Sequence, residues 1–392
     1  LDAAGGADTV NVSTAGTLTG DSDIENYVLA TGGDTFTLGA TAQNVDTGLG
    51  TNTIITAAVD DIDGTLGGSG TDTLVMDDVD DITGANVTAV EHVTVEGSVA
   101  MTAAQHTGFT TMAAAGTSDL ITLFGTGNIT ADADVETYIL GNGGRTITLA
   151  ANSAQTITGG GTGTDTIAVG GTTFSGTVSG VEQFTVTDGG DITGVNSGTA
   201  TGATTVGITG GVTMTAAQHN GFTTVNATGG ADQITVSTVG TLNGASSIET
   251  YKIQAASELT LGAFDQDVTE LQTAQQDAAS TLVFGSGAYT GTFVDFGTAD
   301  VLSVVDGTDI SGGTGLDVGV LDFGDANATI TLDAVQNGSL TILGTGADSG
   351  AQAIRVDEID TFTGDVNIET YEIIAGSTFT LGSLSQSAKE IG

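Results

Sequence analysis

Along most of the chain, apolar and polar residues alternate in bursts of four or five. Examples are Thr9 to Ser13, Tyr27 to Ala30, Thr35 to Leu38, Thr73 to Met76, Glu91 to Val95, Thr146 to Leu149, Glu182 to Val186 and Gln233 to Ser237. A period of two, carried by β-branched and aromatic residues, is the pattern of a strand with one face buried. Between the bursts stand clusters of Gly, Asn, Asp and Ser, which supply turns, some of them with positive φ. Only Thr102 to His106 and Thr215 to His219 resemble a helical turn, and each is short enough to sit at a corner. The pattern therefore predicts an all-β chain of short strands, three to a coil, stacked in parallel at about 4.8 Å.

The same phrases return along the chain. Ile24-Glu25-Asn26-Tyr27 comes back as Val135-Glu136-Thr137-Tyr138, Ile248-Glu249-Thr250-Tyr251 and Ile368-Glu369-Thr370-Tyr371, with the tyrosines 111, 113 and 120 residues apart. A Gln marker follows each, at Gln43, Gln155, Gln266 and Gln386. Met-Thr-Ala-Ala-Gln-His occurs at Met101 to His106 and at Met214 to His219, and Leu332 to Asn337 is an eroded third copy. The chain reads as one continuous array over 1–392, with copies at approximately 1–111, 112–224, 225–341 and, in part, 342–392.

Within the copies, Gln43 to Gly67 spans 24 residues where Gln155 to Gly160 spans 5, and Glu91 to Met101 spans 10 where Glu182 to Met214 spans 32. The differences, 19 and 22 residues, equal one coil of a β-solenoid, the step by which such a fold lengthens without losing register. A parallel β-helix with coils of about 20 residues is thus the expected fold, and a tandem array of β-sandwich modules is the alternative. Leu1 matches Met112 and Val225, and Gly392 stops just past the fourth Gln marker, so both ends fall inside a copy. The expectation is that the molecule continues beyond them or stacks on neighbours.

Composition narrows the core and the partners. Aromatic residues are 5% of the chain, Gly numbers 62, and Pro, Cys and Trp are absent, which suits a thin core of many similar layers and leaves no disulfide to staple it. Proline's absence fits a fold in which most backbone N–H groups serve a ladder. Four basic residues, Arg145, Lys252, Arg355 and Lys389, face 48 acidic ones, for a net charge of −44. Such a surface repels phosphate backbones and anionic membranes, so nucleic-acid partners are excluded, and no apolar run is long enough for membrane insertion. Charge of this size calls for divalent cations or high ionic strength to offset it.

Two segments, Gly67 to Val75 and Gly160 to Ala168, fit Gly-Gly-x-Gly-x-Asp-x-U-x, in which glycines free carbonyl oxygens and an Asp adds a charged one for calcium. Asp72 and Asp165 are the carboxylates of these segments, and Asp8, Asp119 and Asp232 open strands in related shorter forms. The competing reading of each is a Gly-rich turn before a strand, because the two motifs stand 93 residues apart rather than in tandem. The pairs Asp21 and Asp23, Asp61 and Asp63, and Asp132 and Asp134 place two carboxylates on one face, an arrangement that suits a calcium ion or a solvated acidic surface. The repeated Glu25, Glu136, Glu249 and Glu369, with Glu91 and Glu182, read as acceptors for turn N–H groups, the tyrosines as core fillers, and His106 and His219 as turn residues.

The Val-Glu-x-x-x-Val phrases at Val90 to Val95 and Val181 to Val186, the Gly-x-Asp-Thr-Ile/Leu strand starts and the acidity resemble secreted RTX-type repeat proteins and the calcium-dependent β-solenoid surface-layer proteins of Gram-negative bacteria. The resemblance implies type I secretion, calcium-ordered folding and self-association into a lattice or filament at the cell surface, where polysaccharide is a further partner. A stalk region of a large adhesin is the alternative function. A polysaccharide-active β-helix enzyme is the remote one, since the basic residues are scattered and no catalytic motif is present.

Overall fold

The computed structural model describes residues 5–56, 59–114, 116–198, 203–229, 231–238, 240–242, 245, 247–253, 258–261, 270–273, 281–284, 286–294, 300–314, 319–323, 327–343, 352–356, 361–365, 367–374, 377–380 and 387–391. The fold is all-β, a parallel β-solenoid of about 15 turns with coils of about 19 residues and very little helix. Every described strand pairing is parallel (Thr9–Asn11 with Asn26–Val28, for example), where a β-sandwich array would be antiparallel. The chain divides into two compact units, residues 1–185 with 194–196 and 201–203, and residues 186–193 and 197–200 with 204–392.

In the first unit, strands Thr9–Asn11, Asn26–Val28, Asn44–Asp46, Thr65–Gly67 and Asn86–Thr88 stack into one side of the coil. Strands Thr17–Thr19, Thr35–Thr37, Thr53–Ile55, Thr73–Met76, His92–Val95 and Thr111–Ala114 form a second. The alternation of the sequence is the alternation of burial. Phe36, Ile54, Leu74, Val93 and Met112 stand in register and point inward, while Thr35, Thr53, Thr73 and His92 between them are only partly covered. Burying each large member of such a column contributes about 1.5–3 kcal/mol, so the thin core is stabilised layer by layer.

Among the described residues most coils carry strands on two sides and only a turn on the third, not the three strands per coil expected from sequence. The third side grows near the end of a copy. Asp61 bridges Asp81, Asp81 bridges Ala100, and Ser98–Thr102 then opens a full sheet with Leu120–Phe124, Thr137–Leu140, Thr156–Thr158 and Thr177–Ser179. Its inward column is Val99, Ile121, Tyr138, Ile157 and Val178. In the same coil the first side gives way to helix α1 (Ala103–Gly108).

The roles of the sides therefore rotate at the junction. From Val10 on the first side the chain passes Tyr27, Val45, Leu66, Val87 and α1, five whole coils, and then two further sides before reaching Ile121, the counterpart of Val10. A copy is five and two-thirds turns. The second unit repeats the arrangement: from Ile234 the chain passes Tyr251, Leu271, Phe293, Thr314 and helix α3 (Ala334–Ser339) before reaching Ile354 two sides later.

The corner helices form where the sequence placed a helical turn. Helices α1 and α2 (Ala216–Gly221) start with a capping box, Thr102 with Gln105 and Thr215 with Gln218, and α3 does so with Asp333 and Gln336. The glutamine side chain also reaches across to the coil below. Gln105 Nε2 donates to Ile82 O and Ala85 O, as Gln43 does to Asp21 O and Ile24 O, Gln155 to Asp132 O and Val135 O, and Gln336 to Ile310 O and Gly313 O. The two sequence markers, the strand-leading Gln and the helical Gln, are one device. Gln266 and Gln386 lie outside the described residues.

Candidate functional site at the turn carboxylates

Each strand on these sides is entered through a turn, and the parallel ladder leaves the turn's N–H groups facing the next coil. A short acidic side chain one coil on is the right length to accept them. In the first unit this builds a column: Gly16 N–H donates to Asp34 Oδ1 (2.7 Å), Asp34 N–H to Asn52 Oδ1 (3.0 Å), Asn52 N–H to Asp72 Oδ1 (3.1 Å) and Asp72 N–H to Glu91 Oε2 (2.9 Å). Asn52 separates two buried carboxylates, which reduces like-charge repulsion along the stack.

Asp72 and Asp165, the carboxylates of the two Gly-rich motifs, sit in these columns and are fully buried. Asp72 accepts from Asn52 N, Asn52 Nδ2 and Thr47 Oγ1, the last at 2.6 Å. Asp165 accepts from Arg145 N at 3.0 Å and Gly160 N at 2.7 Å. Asp119 takes Gly97 N and Gly116 N, and Asp232 takes Gly210 N at 2.6 Å. The Gly-Gly-x-Gly-x-Asp glycines serve close backbone approach: a Cβ on Gly67, at φ 140°, would stand 1.6 Å from Thr88 O, and one on Gly70, at φ 134°, 2.1 Å from Gly50 O.

The repeated glutamates take the role the sequence assigned them. Glu25, Glu91, Glu136, Glu182 and Glu249 accept the N–H of Asp8, Asp72, Asp119, Asp165 and Asp232 at 2.8–2.9 Å, and Glu369 accepts that of Gln352 at 3.2 Å. Tyr27, Tyr138, Tyr251 and Tyr371 are buried, and their hydroxyls accept N–H groups of Asp21, Asp132, Ala245 and Asp365. His106 and His219 are buried on the corner helices against the next copy's tyrosine, with Nε2 3.3 Å from Tyr138 Oη and 3.0 Å from Tyr251 Oη, and Asn337 meets Tyr371 the same way. Burial lowers both imidazoles to a pKa of about 4.

The paired aspartates lie at the surface. Asp23 N–H donates to Asp21 Oδ1 at 3.1 Å, and Asp134 N–H to Asp132 Oδ1 at 3.0 Å, so in each pair one carboxylate shapes the turn while Asp23 and Asp134 are exposed. Asp61 and Asp63 are exposed on the third side, Asp61 as the bridge partner of Asp81. The structure joins Asp21 with Asp23 and Asp132 with Asp134 through these bonds, but among the described residues shows no such bond between Asp61 and Asp63 and none from any pair to the buried Asp72, Asp119, Asp165 or Asp232. Among the described residues no group of three or more His, Asp or Glu side chains has the arrangement to hold a metal ion.

Sequence reasoning passed over three features. Asp34 and Asn52 belong to the first column, and the Gly-Gly-Asp of residues 32–34 was the available signal. Arg145 is 3% exposed and donates to Leu123 O at 2.7 Å and to Gly125 O, holding carbonyls where the neighbouring columns hold amides; burial lowers its pKa and the Asp165 charge opposes that. Asp-Ile-Thr/Ser-Gly at Asp81, Asp191 and Asp309 lies on each new side as its ladder forms. No family model, curated protein or solved structure matches the chain.

Proposed function

We propose that the chain is an extracellular structural protein, a self-assembling subunit of a surface layer or filament, exported by a bacterial type I route and stabilised by calcium. The observation that carries this reading is the use made of the repeated polar residues. Copy after copy, Glu, Gln, Tyr and buried Asp hold the backbone of the adjoining coil, which is what a scaffold asks of them.

Calcium enters the proposal at the exposed pairs. Asp21 with Asp23 and Asp132 with Asp134 each offer two carboxylates at a corner, fewer than the six to eight oxygens calcium takes. Carboxylates of a neighbouring copy and water complete such a shell, so the ion acts between subunits and offsets their mutual repulsion. The alternative reading is a stalk region of a large adhesin. In that reading binding is done by other domains, and the bonds that hold coil to coil serve an isolated rod as well as a lattice subunit.

Electron microscopy of purified protein with calcium and after chelation tests the proposal. A lattice or fibre that disperses on chelation and re-forms on calcium addition is expected. Single particles under both conditions, with no change in sedimentation, would overturn self-assembly and leave the stalk reading.

A further inference from the structure

Three turns open the third side in successive copies, Asp77 to Asp81, Thr187 to Asp191 and Val305 to Asp309, and they share a construction. Asp78, Asp188 and Asp306 accept with Oδ1 the N–H of Ser98, Gly211 and Thr329 at 2.9, 2.8 and 2.8 Å. The next residue, Val79, Gly189 or Gly307, stands at φ 72°, 79° and 79° and donates its N–H to the carbonyl of that same Ser98, Gly211 or Thr329. The first turn differs from the others in two ways. It places a β-branched valine where the other two have glycine, and its fourth residue is Asp80 where they have Gly190 and Thr308.

Asp80 is 1% exposed. Its Oδ2 accepts the N–H of Asp77 at 2.6 Å and makes a short contact with Thr56 Oγ1, while Oδ1 has no hydrogen-bond partner. Thr56 Oγ1 also lies 3.0 Å from Val75 O. A hydroxyl has one proton to give. When Thr56 gives it to the Val75 carbonyl, the short contact to Asp80 is filled only if the Asp80 carboxyl carries a proton and donates it, giving a chain from Asp80 through Thr56 to Val75.

The charged groups on the described elements around it are all acidic: Asp77, Asp78 and Asp81 on its own turn, Asp60 and Asp61 on the coil below, Glu96 on the coil above and Asp119 one coil further. None of these stabilises an ionised Asp80. We propose that Asp80 is a proton-operated switch at the repeat junction: as a neutral carboxylic acid it locks the turn that starts the third side, and on losing its proton to solvent it releases that turn. Burial pushes the carboxyl up to about 7, which agrees with this. The segment it controls is the one whose next strand, through the Ala100 N–H to Asp80 O bond, opens the sheet of the following copy.

Infrared spectroscopy of the full chain at pH 5.5 and 8.5, with and without calcium, reads the proton directly. A carboxylic-acid carbonyl band present at pH 5.5, lost at pH 8.5, and missing at both in Asp80→Asn and Asp80→Thr is expected. Amide exchange reads the release: after correction for intrinsic rates, protection at Ala100 falls about tenfold per pH unit between pH 5 and 7 in the native chain. The slope disappears in Asp80→Thr, which copies the turn at Thr308, or in Asp80→Asn where the first variant does not fold. The Gly307 amide, in the equivalent turn, is the flat internal control. Absence of the acid band at pH 5.5, a slope that survives both substitutions, or a slope abolished by calcium would each overturn the proposal.

Discussion

Removing one oxygen atom from Tyr138 tests whether the corner helices fasten one copy to the next. The ring is fully buried, and its hydroxyl accepts the Asp132 N–H at 2.9 Å, so its own proton is left for His106 Nε2, 3.3 Å away on α1. Tyr138→Phe keeps the ring and its edge-on contact with His106 (centroids 5.8 Å apart) but deletes both hydrogen bonds. Each bond contributes about 1 kcal/mol net, and a buried group left unpaired costs about 1–3 kcal/mol. Asp132 is partly exposed, so water replaces the hydroxyl there, whereas His106 is buried and stays unpaired. The expected loss is about 2 kcal/mol, or a roughly 30-fold rise in local opening. Amide exchange of the full chain should show it in residues 103–108 and 132–140, with residues 35–55 unchanged, and Tyr251→Phe should act likewise on residues 216–221. A change below about threefold, or one spread evenly over distant coils, would refute the idea that the hydroxyl joins helix to coil.

Other outcomes follow from the same contacts. His106 and His219 have folded pKa values of about 4 against 6.5, so unfolding takes up protons as pH drops below 6.5; full stability above that pH is lost progressively towards pH 4, by about 3 kcal/mol for each histidine. Exchange at α1 and α2 between pH 7 and 5 checks this, and His106→Asn, which copies the pairing of Asn337 with Tyr371, should flatten the slope at α1. Glu136→Ala leaves the Asp119 N–H without its acceptor and should cost about 1.5–3 kcal/mol, while Glu136→Gln, which retains an acceptor oxygen, should cost less; denaturant melts compare the two. Leu74→Ala opens a void between Ile54 and Val93 and should cost about 2–5 kcal/mol in the same assay. Gly67→Ala drives a Cβ into Thr88 O and should prevent correct stacking of its coil, seen as lost near-ultraviolet dichroism or insoluble protein.

Much of the fold was legible because a solenoid is local. Period-two bursts such as Thr35 to Leu38 become strands with Phe36 and Leu38 inside, and insertions of 19 and 22 residues reveal the coil before any contact is known. The acceptor role of Glu136 and its equivalents followed from recurrence beside a turn. What the sequence hid was relation between coils. Asp72 in Gly-Gly-x-Gly-x-Asp has the local signature of a cation loop, but its lone pairs go to Asn52 and Thr47, 20 and 25 residues earlier, and no local pattern encodes that. Where the third side carries strand was hidden for the same reason: Asp61 and Asp81 share an Asp-Ile-x-Gly phrase, but Ala100, which continues their ladder, shares only a position in successive turns.

The fractional turn count gives the junction a mechanical character. Around α1 the new side has already paired through Asp61, Asp81 and Ala100 before the old side yields to the helix, and the second side runs on to Thr111–Ala114. Neighbouring copies in the first unit thus meet as a lap joint rather than a hinge. Tension along the solenoid axis is shared by the ladder bonds of two overlapping sheets, which run from coil to coil along that axis, so the junction does not rest on a single connecting segment.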